Sequence, residues 1–145
     1  LKANKMGKEV RIFDLLTKKQ SLTVFKSQKR KNKLAEELNK VITYQKQLLE
    51  IMQSIDKEAS QKTVSELKSE NWYNLKIQDE LIAIKNKIEF LSLELKNQNK
   101  QVALASEKQK KFQEKKRHFN KLEQQEKETR QESALQSTII NSHKP

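Results

Sequence analysis

Read in steps of three and four, the first half of the chain carries one apolar stripe: Val10, Phe13, Val24, Leu34, Leu38, Val41, Leu48, Met52 and Ile55. Thr17, Gln20, Ser27, Lys31 and Gln45 are the polar members of the same register, which turns polar and strongly basic over KSQKRKNK (26–33). Such spacing marks a helix that packs along a narrow coiled-coil line. The second half carries a cleaner stripe through Leu67, Ile77, Leu81, Ile84, Ile88, Leu91, Leu95, Val102, Ala105, Phe112 and Phe119. Gln98, Gln109 and Lys116 interrupt it. A disordered chain has no such periodicity, so the pattern predicts two long helices.

Between the stripes lies DKEASQKTVSE (56–66), small and polar apart from Val64. The expected layout is helix one over about 8–56, a reversal over about 57–65, helix two over about 66–133 and a frayed tail over 134–145. Ser65 followed by Lys68 makes no capping box, so the start of helix two is left open. A reversal near residue 62 brings Leu34 to Leu91, Val41 to Ile84, Leu48 to Ile77 and Phe13 to Phe112. A heptad slip would match nearly as well, which leaves the register unfixed. The fold class is all-α, a long two-helix antiparallel coiled-coil hairpin forming a single domain.

Composition agrees. One Gly, one Pro and 34% charged residues provide few turns and many helix formers. Only 34% of the residues are hydrophobic, enough for a narrow seam and not for a thick core. No run is apolar enough to cross a bilayer and no signal-peptide pattern opens the chain. With no cysteine, disulfides and thiolate zinc sites are excluded, and a cytosolic location is the simplest expectation. The chain opens on Leu1, with Met6 a candidate native start.

Candidate chemistry is sparse. A single glycine cannot build a phosphate-cradling loop, and His118 and His143 have no companion at metal-ligand spacing. The acidic pairs Glu36–Glu37 and Asp79–Glu80 point about 100° apart on a helix, so neither converges on a substrate. The expectation is a non-enzyme with no cofactor, no metal and no small-molecule substrate.

Charge and surplus apolar surface are more informative. The net charge is +12. Lys18, Lys19, Lys26, Lys29, Arg30, Lys31 and Lys33 form one basic cluster, and Lys108, Lys110, Lys111, Lys115, Lys116 and Arg117 form another. The proposed hairpin gathers both in its terminal half. Lysine far outnumbers arginine and no base-stacking aromatics are interleaved, which favours an acidic protein partner over nucleic acid. Around VITYQKQLL (41–49), Tyr44, Ile42 and Leu49 lie off the narrow stripe, with Ile77, Leu81, Ile82 and Ile84 across from them. That surface suits a partner, or a second copy of the chain. Trp72 and Tyr73, near the reversal, are expected to act as a structural clamp closing the hairpin end.

The helical layout, the TYQ at 43–45, the NWYN at 71–74 and the basic EKKRHFNKLEQQEKETRQE at 114–132 together resemble the flagellar FliJ family. Its members are small components of the flagellar type III export apparatus. The resemblance covers nearly the whole chain. It implies an antiparallel coiled coil similar to a rotary-ATPase stalk, placed in the cytoplasm at the inner membrane beneath the flagellum. It further implies binding to the hexameric export ATPase, to the cytoplasmic part of the membrane-embedded export gate and to export chaperones. Carried over, the gate surface falls on Val41, Tyr44, Leu48, Ile77, Leu81 and Ile84. The ATPase surface falls on Lys18, Lys19, Lys108, Lys111, Lys115, Lys116 and Arg117. The alternatives are a basic coiled-coil scaffold, a nucleic-acid-binding protein, or the equivalent injectisome stalk.

Overall fold

The structure, a computed structural model, describes residues 2–57 and 62–142. Among the described residues there are two helices, α1 (Lys2–Lys57) and α2 (Val64–Ser142). They pack against each other antiparallel, as an all-α helical hairpin, and the described residues contain no strand. Contacts divide the chain into a terminal unit, Leu1–Lys26 with Val102–Pro145, and a second unit, Ser27–Gln101. The first division falls inside the basic stretch where the α1 stripe turns polar.

In the Ser27–Gln101 unit the core is a line of aliphatic side chains. Leu48, Ile77 and Ile84 are buried, with Val41, Met52, Ile55, Leu81 and Ile88 packed against them. Among the described residues Leu91 is the most buried apolar one. Leu48 shares this cluster with both Ile77 and Ile84, one residue against two that lie a heptad apart. The terminal unit repeats the arrangement with aromatics. Phe13 lies between Phe112, at a centroid distance of 6.4 Å, and Phe119, stacked at 5.4 Å. This is knobs-into-holes packing. Phe13 thus meets Phe112 and also the residue a heptad beyond it, while Gln20 with Ala105 and Gln98 with Ser27 keep the register that pairs Phe13 with Phe112.

Every α1 stripe position from Val10 to Ile55 is at least half-buried, its polar members included. On α2 the stripe departs from expectation at both ends. Leu67 is exposed, because the seam at that end is made by Glu70 and Asn74 and α1 stops at Lys57. At the other end half-buried Leu122, Glu123 and Glu126 carry the stripe past Phe119.

The helix ends also differ from the sequence reading. α1 passes through Gly7 instead of starting after it; a single helical glycine costs only about 1 kcal/mol. α2 does not fray at 134 but runs to Ser142, with residues 127–142 fully on the surface. Strong helix formers and the i,i+4 pairs Glu123–Lys127 and Glu126–Arg130 carry it on without a partner helix. Of the expected reversal, residues 58–61 lie outside the described residues, as do 143–145 of the expected tail.

The start of α2 is fixed by a capping box. The Thr63 amide donates to Glu66 Oε2 at 3.1 Å, and the Glu66 amide donates back to Thr63 Oγ1 at 3.3 Å. The Leu67 amide donates to the Thr63 carbonyl at 3.0 Å, the first bond of the helix. Thr63→Ala is expected to cost about 1 kcal/mol, seen as a fall in Tm of roughly 4 °C by circular dichroism. An unchanged Tm would show that this end of α2 contributes nothing to cooperative stability.

Candidate functional site

The residues expected to face an export gate fall in the Ser27–Gln101 unit, where the helix seam takes up most of them. Leu48, Ile77 and Ile84 are buried, and Val41 and Leu81 pack against them. Tyr44 is the exposed member, and its hydroxyl donates to Glu80 Oε1 at 2.8 Å. That carboxylate, by accepting a hydrogen bond from the neutral phenol, holds the Tyr44 pKa above its ordinary value, with desolvation adding to the shift. Ile42, Leu49 and Ile51 of α1 are exposed as well.

Trp72 and Tyr73 do not form a buried clamp. They are 55% and 57% exposed, and their rings meet edge to face at 5.4 Å along α2 itself. The Lys76 ammonium lies 4.4 Å from the centre of the Trp72 ring. At this level the half-buried positions belong to Glu70 and Asn74, and a Lys62–Glu70 ion pair lies beside them.

The seven basic residues expected at an ATPase surface all lie in the terminal unit, with two different kinds of surroundings. Asp14 collects Lys116 at 2.7 Å and Lys18 at 3.1 Å. Lys115 lies 5.6 Å from the Phe13 ring centre and Lys108 lies 5.9 Å from that of Phe112. Lys116 and Lys115 reach across the hairpin, whereas Lys18 and Lys108 make their contacts within their own helices. Lys19, Lys111 and Arg117 are exposed and available to a partner. His118 packs edge to face on Phe119 at 5.6 Å, as a side chain of the seam edge.

The hydrogen bond from Lys116, then that from Lys18, lowers the Asp14 pKa below its ordinary 3.8. A depressed carboxylate contributes stability that is complete above the unfolded value and lost as pH falls through the folded one. Asp14→Asn is therefore expected to flatten part of the acid-side fall in Tm below about pH 4. A pH series of thermal melts checks this; parallel curves for parent and variant would remove the pair from any stabilising role.

One surface of the terminal unit escapes a reading confined to a single stripe per helix. Ile12, Leu15, Leu22 and Phe25 are all more than half exposed and lie on the side of α1 turned away from the seam. Lys8, Arg11, Lys18, Lys19 and Lys26 are interleaved with them on the same side of the helix. Beside Leu22 and Phe25 an open groove continues to Thr17, Ser21, Gln109 and Gln113. The spacing of three, seven and three was present in the sequence as a second face. Comparison with protein-family models, curated proteins and solved structures returns no match. Among the described helices, none is long and apolar enough to cross a membrane.

Proposed function

We propose that this chain is a non-catalytic helical adaptor that docks a protein partner through its terminal unit. The observation that carries the reading is the exposed side of α1 on which Ile12, Leu15, Leu22 and Phe25 alternate with lysine and arginine. Apolar side chains at helical spacing supply contact area, and the surrounding cations select an acidic rim on the partner. The two helices described enclose no dry pocket in which a catalytic pKa is tuned, which further favours binding over catalysis.

The particular partner proposed is the hexameric ATPase of flagellar type III export, with the chain as its stalk. That step rests on the resemblance carried by TYQ, NWYN and the basic stretch 114–132. In the same reading the exposed group around Tyr44 contacts the cytoplasmic part of the export gate, and the chain escorts export chaperones at the flagellar base. The test is ATP turnover by the cognate export ATPase with and without the protein. Stimulation is expected from the parent chain and loss of it from Leu22→Glu combined with Phe25→Glu. Lys19→Glu, Lys111→Glu and Arg117→Glu together should weaken binding while leaving the helical signal intact. These replace exposed cations, whereas changes at Lys115 or Lys116 would also disturb contacts to Phe13 and Asp14. Absence of binding and of any change in turnover would reject the stalk reading. Steeply salt-dependent DNA binding in its place would favour a nucleic-acid role.

A further inference from the structure

Within the Ser27–Gln101 unit α2 carries a second stripe that the hairpin does not use. Trp72, Leu75, Ile82, Phe90 and Leu93 are each more than half exposed. At about 100° per residue they fall within an arc of roughly 80°. That arc is centred on the side of α2 opposite its buried residues Ile77, Ile84, Leu91 and Gln98. Asp79 and Asn86 complete the series, so that 72, 75, 79, 82, 86, 90 and 93 advance by threes and fours. This is the repeat of a helix that packs on another helix.

We infer that this face is a self-association surface, joining two copies of the chain antiparallel about a two-fold axis near Ile82 and Ala83. The stripe is close to a palindrome about that point. Trp72 of one copy meets Leu93 of the other, and Leu75 meets Phe90, a larger side chain against a smaller one in each layer. Ile82 lies beside the axis, where Ala83 lets the helices approach. The polar members match as well: the Asp79 carboxylate accepts from the Asn86 side-chain amide of the second copy, at both symmetry-related ends. A parallel pairing in register would set Asp79 against Asp79, which like charge disfavours. An isologous interface requires this kind of self-complementarity, and a foreign helix would give no reason for it.

The area is adequate. Five large apolar side chains, each more than half exposed, offer on the order of 500 Å² per copy. Two copies then reach the roughly 1,000 Å² at which specific interfaces begin, before any flanking residues are counted. A patch of that size is also at the upper end of what a monomer usually leaves in water. The surface is distinct from the docking stripe of α1, so self-association can be tested apart from ATPase binding.

The experiment uses the full chain in sedimentation velocity across a micromolar concentration series. The emission of Trp72, the chain's single tryptophan, is followed in parallel. A concentration-dependent dimer is expected, with emission moving to the blue as it forms. Ile82→Glu and Leu93→Glu should each weaken association about tenfold or more while leaving far-ultraviolet circular dichroism unchanged. Because the chain has no cysteine, orientation can be read by single-cysteine variants and a short bismaleimide. Ala83→Cys should cross-link copy to copy, and Ser69→Cys should not. Monomer at every concentration, a dimer indifferent to Ile82→Glu, failure of Ala83→Cys to cross-link, or equal cross-linking through Ser69→Cys would each overturn the proposal.

Discussion

Ile84→Asp is expected to remove about 4 kcal/mol or more from the stability of the Ser27–Gln101 unit, enough to unfold it at moderate temperature. Ile84 is 6% exposed and belongs to the cluster with Leu48 and Ile77. Burial of an isoleucine contributes about 1.5–3 kcal/mol, and the substitution forfeits it. The carboxylate then sits in an aliphatic seam, so it must ionise unpaired, take up a proton, or force the helices apart. Lys85→Asp, one residue along on the exposed side, is the matched control, with an expected effect near 0.5 kcal/mol. Urea denaturation followed at 222 nm reads both. Equal midpoints for the two variants would mean that the aliphatic line is not what holds this unit.

Phe13→Ala is expected to cost about 3 kcal/mol, and to do so in the terminal unit. Its ring stacks on Phe119, tilts against Phe112 and receives the Lys115 ammonium. Truncation leaves a gap between two aromatic rings that helix backbones cannot easily close. Phe13→Leu keeps most of the volume and should lose under half as much. Amide exchange locates the damage. Protection should fall over residues 2–26 and 102–126 and persist over 34–55 and 77–95. A uniform loss along both helices would contradict a local role for this aromatic layer.

The hairpin was legible because a coiled-coil seam writes itself into sequence as spacing. From Val10 to Ile55 every expected position lies at the interface, including Lys31 and Gln45, which hydropathy alone would have excluded. The capping box lies in TVSE at 63–66, whereas Ser65 with Lys68 makes none and left the start of α2 open. Leu67 fits the register and still misses the seam, because periodicity does not say where the opposite helix ends. The helical run to Ser142 was missed for the converse reason. Loss of the stripe removes a packing partner without removing helix propensity or i,i+4 ion pairs. The candidate sites were less legible. Residues chosen for their place in the seam proved to be core, and the exposed apolar faces emerged only once the seam had claimed its share of each helix.

Two of the glutamines that interrupt the apolar lines are buried. Gln20 donates its side-chain amide to the Ala105 carbonyl at 3.0 Å, and Gln98 donates to the Ser27 carbonyl at 3.1 Å. Both are 9% exposed. Backbone carbonyls recur identically at every residue of a helix, so such bonds fasten one helix to the other without recognising which turn they hold. Recognition falls instead to pairs of distinct side chains. Asp14 with Lys116 and Ser21 with Gln109 serve the terminal unit, and Tyr44 with Glu80 serves the other. Adhesion and alignment are therefore separate properties in this hairpin, held by different residues. Mutating the aligning pairs should let the helices glide by a heptad while the glutamines keep their grip.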